Sequence, residues 1–330
     1  MAILHAPESP VCYTCHMFRR KQQRSRNAHF CIVTNPRASQ FSTRAVDRLI
    51  SQIRKGGASF SVCDGDSLEQ TISRTRNLMG VGRDSRSPHP QVTRFGAVTG
   101  LVACGGDGLV GAVAKIAHQV KLPMGIVPLG RYNSIAASLY GDTTLDGATK
   151  RIISKTYRTI DVGHIDSNVI LGSAGFGMIP ELGRQLAERK SPRFGFSWSQ
   201  LASKASLASP MHTRIITVDS FRFEIPSTLL SIHLLSHSLG LNFSPASIAD
   251  DGKIEVIFDM SVKPSGLADF TKGIFKKKYM FAGDIKLFRG AHVSVAGVKG
   301  ETVLIDGEFV TLKSDYAEVT LEPRALQIFA

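Results

Sequence analysis

Apolar and polar positions change their pattern twice along the chain. Up to residue 28 neither a helical nor a strand period is sustained, and a basic, disordered leader is expected. His29-Phe-Cys-Ile-Val-Thr34 then forms a short apolar run ending at Asn35-Pro36, the pattern of a buried strand followed by a turn. Between Ser42 and Ile53, the residues Val46, Leu49, Ile50 and Ile53 recur at helical spacing, and Gly56-Gly57 stops the helix. Ala58–Cys63 reads as a second strand, Ser67 caps a helix reaching about Leu78, and residues 80–94, rich in Gly, Ser, Pro and Arg, read as a loop. Ala97–Cys104 is a near-continuous apolar run, as in strands covered on both faces, and feeds directly into Gly105-Gly-Asp-Gly108. A helix with Val110, Val113, Ala114 and Ala117 on one side follows. Met124-Gly-Ile-Val127 is the next strand, ending in Pro128-Leu-Gly130, and Ser134–Leu139 is helical.

Strands alternating with helices predict an N-terminal doubly wound α/β domain over 29–150, with ligands at the carboxyl ends of its strands. After about residue 155 the alternation stops. Arg214–Val218, Thr228–Leu235, Lys253–Phe258, Ala291–Val295, Thr302–Ile305 and Ala317–Leu321 are strand-like segments separated mostly by turn residues. They predict a C-terminal β-sandwich over 151–320, interrupted by helical or irregular sequence at 180–209.

Composition refines this picture little. A length of 330 residues fits two domains, and 43% hydrophobic with 20% charged residues fits ordinary globular folding. The net charge of +13 favours polyanionic partners: nucleotide phosphates, anionic lipid headgroups or nucleic acid. Nucleic acid is the weakest of these, because no aromatic platform is interleaved with the basic residues. Lys272, Lys276, Lys277 and Lys278 form a basic cluster suited to an anionic bilayer, or to plain solvation. No apolar stretch reaches the length of a membrane span and no secretory signal opens the chain, so a cytoplasmic, at most peripherally membrane-bound, location is expected. Five scattered cysteines are no disulfide framework. Cys12-Tyr-Thr-Cys15-His16 matches a haem-attachment pattern or half a zinc site, but without an export signal a solvated leader explains it better.

The chemistry concentrates in the glycine-rich turn. Glycines permit close backbone approach, and the helix that follows presents unpaired N–H groups to a phosphate. Asp107 is placed to accept a proton or hold a metal beside that phosphate. A tight turn with a capping Asp is the competing explanation. Two further loops favour the ligand: Pro128-Leu-Gly-Arg-Tyr-Asn133 and Asn35-Pro36 would meet the first at one edge of a parallel sheet.

Taken together, Asn35-Pro36, Gly105-Gly-Asp-Gly108, Pro128-Leu-Gly130 with Asn133, Ile160-Asp-Val-Gly163, Ala174-Gly-Phe-Gly177, Asp251-Gly-Lys-Ile254 and Ile305-Asp-Gly-Glu308 resemble the diacylglycerol kinase catalytic family. Its bacterial lipid kinases and the sphingosine kinases share this order over roughly residues 30–330. The resemblance implies ATP and Mg²⁺ in a cleft between the two domains, transfer of the γ-phosphoryl group to a lipid hydroxyl of diacylglycerol or sphingoid type, and a lipid partner at a membrane surface. It also implies that residues 321–330, with the apolar Ala325-Leu-Gln-Ile-Phe329, return to the first domain. Gly105, Gly106 and Gly108 would cradle phosphate, and Asn35, Gly130 and Asn133 would line the nucleotide site. Asp107 would contact the metal or activate the hydroxyl, and Asp306 and Glu308 would serve as proton acceptor or metal partner. Asp306-Gly307 also has the sequence of a plain hairpin turn. A homodimer is left open.

Three positions depart from the family pattern. Gly111-Ala112 stands where Asn-Glu or His-Glu is usual, Arg131-Tyr132 where a small hydroxyl residue and a glycine are usual, and Ser39 where a glycine is usual. Arg131 either grips phosphate or, with Tyr132, narrows the site. These departures define the alternative, a catalytically weak or inactive relative that binds nucleotide or lipid as a regulator. An NAD kinase shares the Gly-Gly-Asp-Gly loop, but the Asp-Gly-Glu turn and Asn35-Pro36 favour the lipid branch. From sequence, Asp107→Asn is expected to abolish turnover with little effect on stability.

Overall fold

The computed structural model describes residues 28–37, 41–81, 92–93, 96–188, 198–259 and 285–330. The leader with Cys12, Cys15 and His16, Ser39, most of the 80–94 loop and the Lys272–Lys278 cluster lie outside the described residues.

Strands Ser59–Cys63, His29–Thr34, Gly100–Gly105 and Met124–Pro128 pair in parallel in that order. Their alternation divides the core. Phe30, Ile32, Val102 and Cys104 pack with Val46, Leu49 and Ile53 of helix α1 (Thr43–Lys55) on one face. Cys31, Val33, Leu101 and Ala103 face the other way, toward Val110, Val113 and Ala117. Helix α2 (Leu68–Leu78) lies on that second side, with helix α3 (Asp107–Val120). Side-chain oxygens of Ser42 and Ser67 cap α1 and α2 by accepting the backbone N–H groups of Ala45 and Gln70. Helices α4 (Ser134–Tyr140) and α5 (Leu145–Ser154) complete a layer doubly covered as expected. The apolar run 97–104 is divided, because Gly96–Ala97 pairs with Val92–Thr93 and the central strand starts only at Gly100.

Six antiparallel strands form the second sheet, in the order Ile285–Gly290, Ile254–Asp259, Leu229–His233, Ser173–Gly177, Thr302–Ile305 and Glu308–Thr311. Helices α6 (Met178–Glu188) and α7 (Trp198–Ala208) account for the helical sequence at 180–209. The other half of the sandwich is not a separate sheet. Strands Phe221–Ser227, His212–Val218 and Val293–Ala296 join the α/β sheet through one long strand, Tyr316–Phe329. Its first half pairs with Val293–Ala296, and its Ile328 pairs in parallel with Met124. Along its outer side it pairs with Tyr157–Ile165, and the register breaks between Glu322 and Leu326. Pro323 has no N–H to give there, and Arg324 takes a positive φ of 53°. Asp161 secures the bend by accepting the N–H groups of Arg324 and Gly252, both at 2.7 Å.

The C-terminal residues thus lie within the first layer. Phe329 is 4% exposed, stacks edge-to-face on Phe30 at 5.7 Å, and sits over Gly100 and Gly125, where a Cβ would come within 3.2 and 3.3 Å of its ring. Tyr140 Oη donates to the Phe329 carbonyl at 2.9 Å. Among the described residues no helix is long and apolar enough to cross a membrane.

Phe329→Ala should therefore cost about 3–5 kcal/mol in chemical denaturation, the range for emptying a buried aromatic site. A loss below about 1 kcal/mol would show that the tail is an accessory to the first layer.

Candidate active site

Two glycine loops meet backbone to backbone at the carboxyl ends of the central strands. Gly106 is the N-cap of α3 and makes no side-chain cap bond, so the first N–H groups of that helix have no side chain closing them off. A Cβ on Gly130 would fall 2.2 Å from the Gly106 Cα, which makes glycine obligatory at 130. Gly105 is confined as well: a Cβ there would meet Leu109 at 2.6 Å, and its carbonyl accepts Leu129 N at 3.0 Å. Gly108 differs, because a Cβ there would meet nothing within 4 Å. It is the open face of the loop.

Asn133 holds the second loop from inside. Its φ is 51°, its Oδ1 accepts Gly130 N at 2.8 Å and its Nδ2 donates to Gly130 O at 2.9 Å. Asp107, first residue of α3, reaches across and accepts the N–H groups of Ser134 and Ile135, each at 3.0 Å. Its carboxylate ties the start of α4 to the start of α3. Burial raises its pKa, opposed by those two amides.

The Asp-Gly-Glu turn arrives from the sandwich. Asp306 and Gly307 have φ of 49° and 90° and close a two-residue hairpin in which Ile305 pairs with Glu308. The hairpin reading of Asp-Gly holds, yet the turn also delivers a carboxylate. Asp306 Oδ2 accepts Leu171 N at 2.6 Å, and Oδ1 accepts Gly172 N and Ser173 N at 2.8 and 2.9 Å. Burial pushes its pKa up to about 6 against the pull of those amides, and the nearby Asp107 charge adds to the rise. The turn rests on α3: a Cβ on Gly111 would lie 3.4 Å from Asp306 Cβ, and one on Gly307 would lie 3.9 Å from Gly108 N. Where the family usually keeps a larger residue, Gly111 gives the turn room.

Asp107, Gly108 and Asp306 line a cavity of about 220 Å³, whose walls also include Ile135, Leu239 and Leu304. Arg131 and Tyr132 also line it. Arg131 Nη1 donates to the Leu186 carbonyl in the last turn of α6 at 2.6 Å, and the Tyr132 ring lies against Gly240, where a Cβ would come within 2.7 Å. Both side chains brace the second loop against the sandwich. His237, which no sequence motif singles out, lines the same cavity with Nδ1 at 2.9 Å from Ser236 Oγ.

Glu308 and Asn35 do not line that cavity. Glu308 leaves the turn on its far side, pairs with Lys115 Nζ at 3.1 Å, and lines a larger cavity of about 790 Å³ between α2 and α3, with Ala112 and Ile72. Asn35 sits at the end of its strand, accepts Arg37 N at 3.0 Å and lines neither cavity.

Comparison with known proteins gives this arrangement a context. Residues 29–165 match the diacylglycerol kinase catalytic domain. Over that segment the chain is similar to that family. It is 27% identical to the diacylglycerol kinase of Bacillus subtilis over 179 residues, 52% of this chain and 57% of that protein. With the diacylglycerol kinase of Mycobacterium tuberculosis it shares 25% identity over 238 residues, 69% of this chain and 75% of that one. A crystal structure of a diacylglycerol kinase from Bacillus anthracis has the same fold, with a TM-score of 0.66 at 15% identity, covering 92% of this chain and 96% of that one.

The packing separates two glycines of one site. Gly130→Ala must drive the two loops apart, and a loss of about 1–3 kcal/mol is expected, as for overpacking. Gly108→Ala should leave stability within about 1 kcal/mol, and calorimetry should show weaker ATP binding if its open face meets phosphate. Equal stability of the two variants would contradict the contact between the loops.

Proposed function

We propose that this chain is an ATP-dependent lipid kinase. One observation carries the reading. Asp107 from the α/β layer and Asp306 from the sandwich reach one cavity, which adjoins the uncapped start of α3 and whose walls include apolar side chains. The carboxylates suit a hydroxyl and the apolar walls suit the start of a lipid chain. An open helix N-terminus with glycine at its second residue suits phosphate. Each Asp107 oxygen accepts a backbone N–H, and a carboxylate oxygen has capacity for more than one partner, so hard oxygen donors remain for Mg²⁺. When bound, Mg²⁺-ATP supplies the phosphoryl group and neutralises its charge.

The chain's own residues orient and deprotonate. The larger cavity beside Ala112, Lys115 and Glu308 has room for a nucleoside, with the phosphates directed toward Gly108. Arg131, engaged with Leu186, shapes the acceptor cavity in this reading instead of reaching phosphate. Asp306 serves as the proton acceptor in this reading, because a group titrating near pH 6 is ionised at neutral pH yet basic enough to take a hydroxyl proton. Lipid would enter at a membrane surface, with diacylglycerol and sphingoid bases as the acceptors to compare.

A second reading has its own observation. Ala112 puts a methyl group where the family usually carries an acid, and it faces the larger cavity. In that reading the chain binds nucleotide or lipid without turnover and acts as a regulator. Labelled-ATP phosphorylation of mixed lipid vesicles decides between them, with diacylglycerol, a sphingoid base and lipid-free controls in parallel. Labelled lipid supports the kinase. Nucleotide binding without labelled lipid supports the regulator.

Two variants sharpen the assignment. Asp107→Asn should abolish turnover, and it should also cost about 1–3 kcal/mol, because the new NH₂ faces an amide donor where an oxygen accepted one. That revises the expectation from sequence of a neutral effect on stability. In the parent enzyme the rate should rise with pH through about 6, since protonated Asp306 cannot accept a proton. The midpoint belongs to the coupled Asp107–Asp306 pair. A rate unchanged between pH 5 and 8, at saturating substrate, would remove Asp306 from the proton path.

A further inference from the structure

At the opposite end of α3 from Asp107, three side chains far apart in sequence converge. His118 comes from the last turn of α3, His164 from strand Tyr157–Ile165, and Glu322 from strand Tyr316–Phe329, just before its register break. His118 Nε2 lies 2.9 Å from Glu322 Oε2, and His164 Nε2 lies 3.0 Å from Glu322 Oε1. One donor atom from each residue falls within 4.8 Å of the other two. The imidazoles stand 5.8 Å apart, centre to centre, at 55°.

From these positions we infer a binding site for a divalent transition metal of the zinc class. Two imidazole nitrogens and one carboxylate form a donor set that such ions favour and that Mg²⁺ and Ca²⁺ do not. A zinc ion with bonds of about 2.0–2.2 Å holds its ligand atoms about 3.3–3.5 Å apart, so small side-chain movements close the triangle. His164 supplies a second indication. Its Nε2 is buried without a hydrogen-bond partner, because its geometry toward Glu322 is not that of a hydrogen bond despite the short distance. A buried nitrogen with nothing to bond is costly, and a metal would satisfy it. The carbonyl end of α3 also carries partial negative charge, which favours a cation. Lys121 opposes it, with Nζ at 3.5 Å from His118 Nε2, but the side chain is long and its residue exposed.

The register of the strands fixes this geometry. His164 pairs with Thr320, and Glu322 lies two residues farther on, so both side chains emerge on the same face beneath α3. A metal there would fasten the helix that carries Asp107 to the two strands that bridge the layers. Three protein ligands would leave a position open to water, and the role argued is attachment of α3, separate from phosphoryl transfer.

The test uses the full chain with Cys12→Ser and Cys15→Ser, so that the leader offers no thiolate, after treatment with a chelator. Equilibrium dialysis against Zn²⁺ with metal quantification should give one equivalent bound, and Co²⁺ should give a visible spectrum without a thiolate charge-transfer band. His118→Ala and His164→Ala should each weaken Zn²⁺ binding about tenfold or more, and Lys121→Ala should tighten it. Glu322→Gln, which preserves size, should weaken binding with an unchanged circular dichroism spectrum. Zn²⁺ should raise the Tm of the parent but not of the His118→Ala/His164→Ala double variant. Absence of Zn²⁺ binding by the parent, or binding by the double variant equal to the parent's, would overturn the site.

Discussion

The site depends on the Asp306 carboxylate and the three backbone N–H groups it accepts from Leu171, Gly172 and Ser173. A buried carboxylate needs such partners, since an ionised group without them bears a large desolvation cost. The need explains the neighbouring sequence. Gly172 is small because a Cβ would lie 2.9 Å from Asp306 Oδ1, and Asp306-Gly307 adopts the tight hairpin that aims the side chain inward. The same bonds hold the turn against Gly111 and Gly108, so the second sheet is registered on the first at the place where chemistry is proposed.

The long strand Tyr316–Phe329 makes that register rigid at the level of the fold. By running from the sandwich into the parallel sheet it joins the two through one hydrogen-bonded strand. The bend at Pro323 and Arg324, held by Asp161, lets one strand serve two sheet directions. Asp161 belongs to Ile160-Asp-Val-Gly163, one of the motifs behind the family resemblance. Its observed work is structural: it fastens the bend and the Asp251-Gly252 turn together.

Much of this was legible in the residues. Helical spacing and alternating apolar runs gave the parallel layer, and turn residues marked several strands that follow it, though not Ser173–Gly177, Ile285–Gly290 or Glu308–Thr311. Phe221–Ser227 alternates cleanly, with Arg222, Glu224 and Pro226 exposed, but a proline inside the run argues against a strand and masks it. The continuity of the sheets escaped because pairing across the domains leaves no local pattern. Asp107 stood out in its glycine-rich turn and Asp306 through the family resemblance, and the fold brings both to one cavity. Glu308, only two residues from Asp306, was grouped with it, but the hairpin sends it to Lys115 instead. Arg131 read as a phosphate ligand or an obstruction because nothing near it in sequence announces the α6 carbonyl it meets. His118, His164 and Glu322 are joined only by the fold.

Titration of the two carboxylates by carbon-13 NMR tests most directly the claim that they form one phosphoryl-transfer centre. With aspartate carboxyls labelled, the Asp306 signal, assigned by its loss in Asp306→Asn, should titrate near pH 6, and Asp107→Asn should lower that midpoint. Both carboxyl signals should move when Mg²⁺-ATP is added. A centre of this kind is contradicted if Asp306 titrates in the ordinary carboxylate range and neither signal responds to the nucleotide.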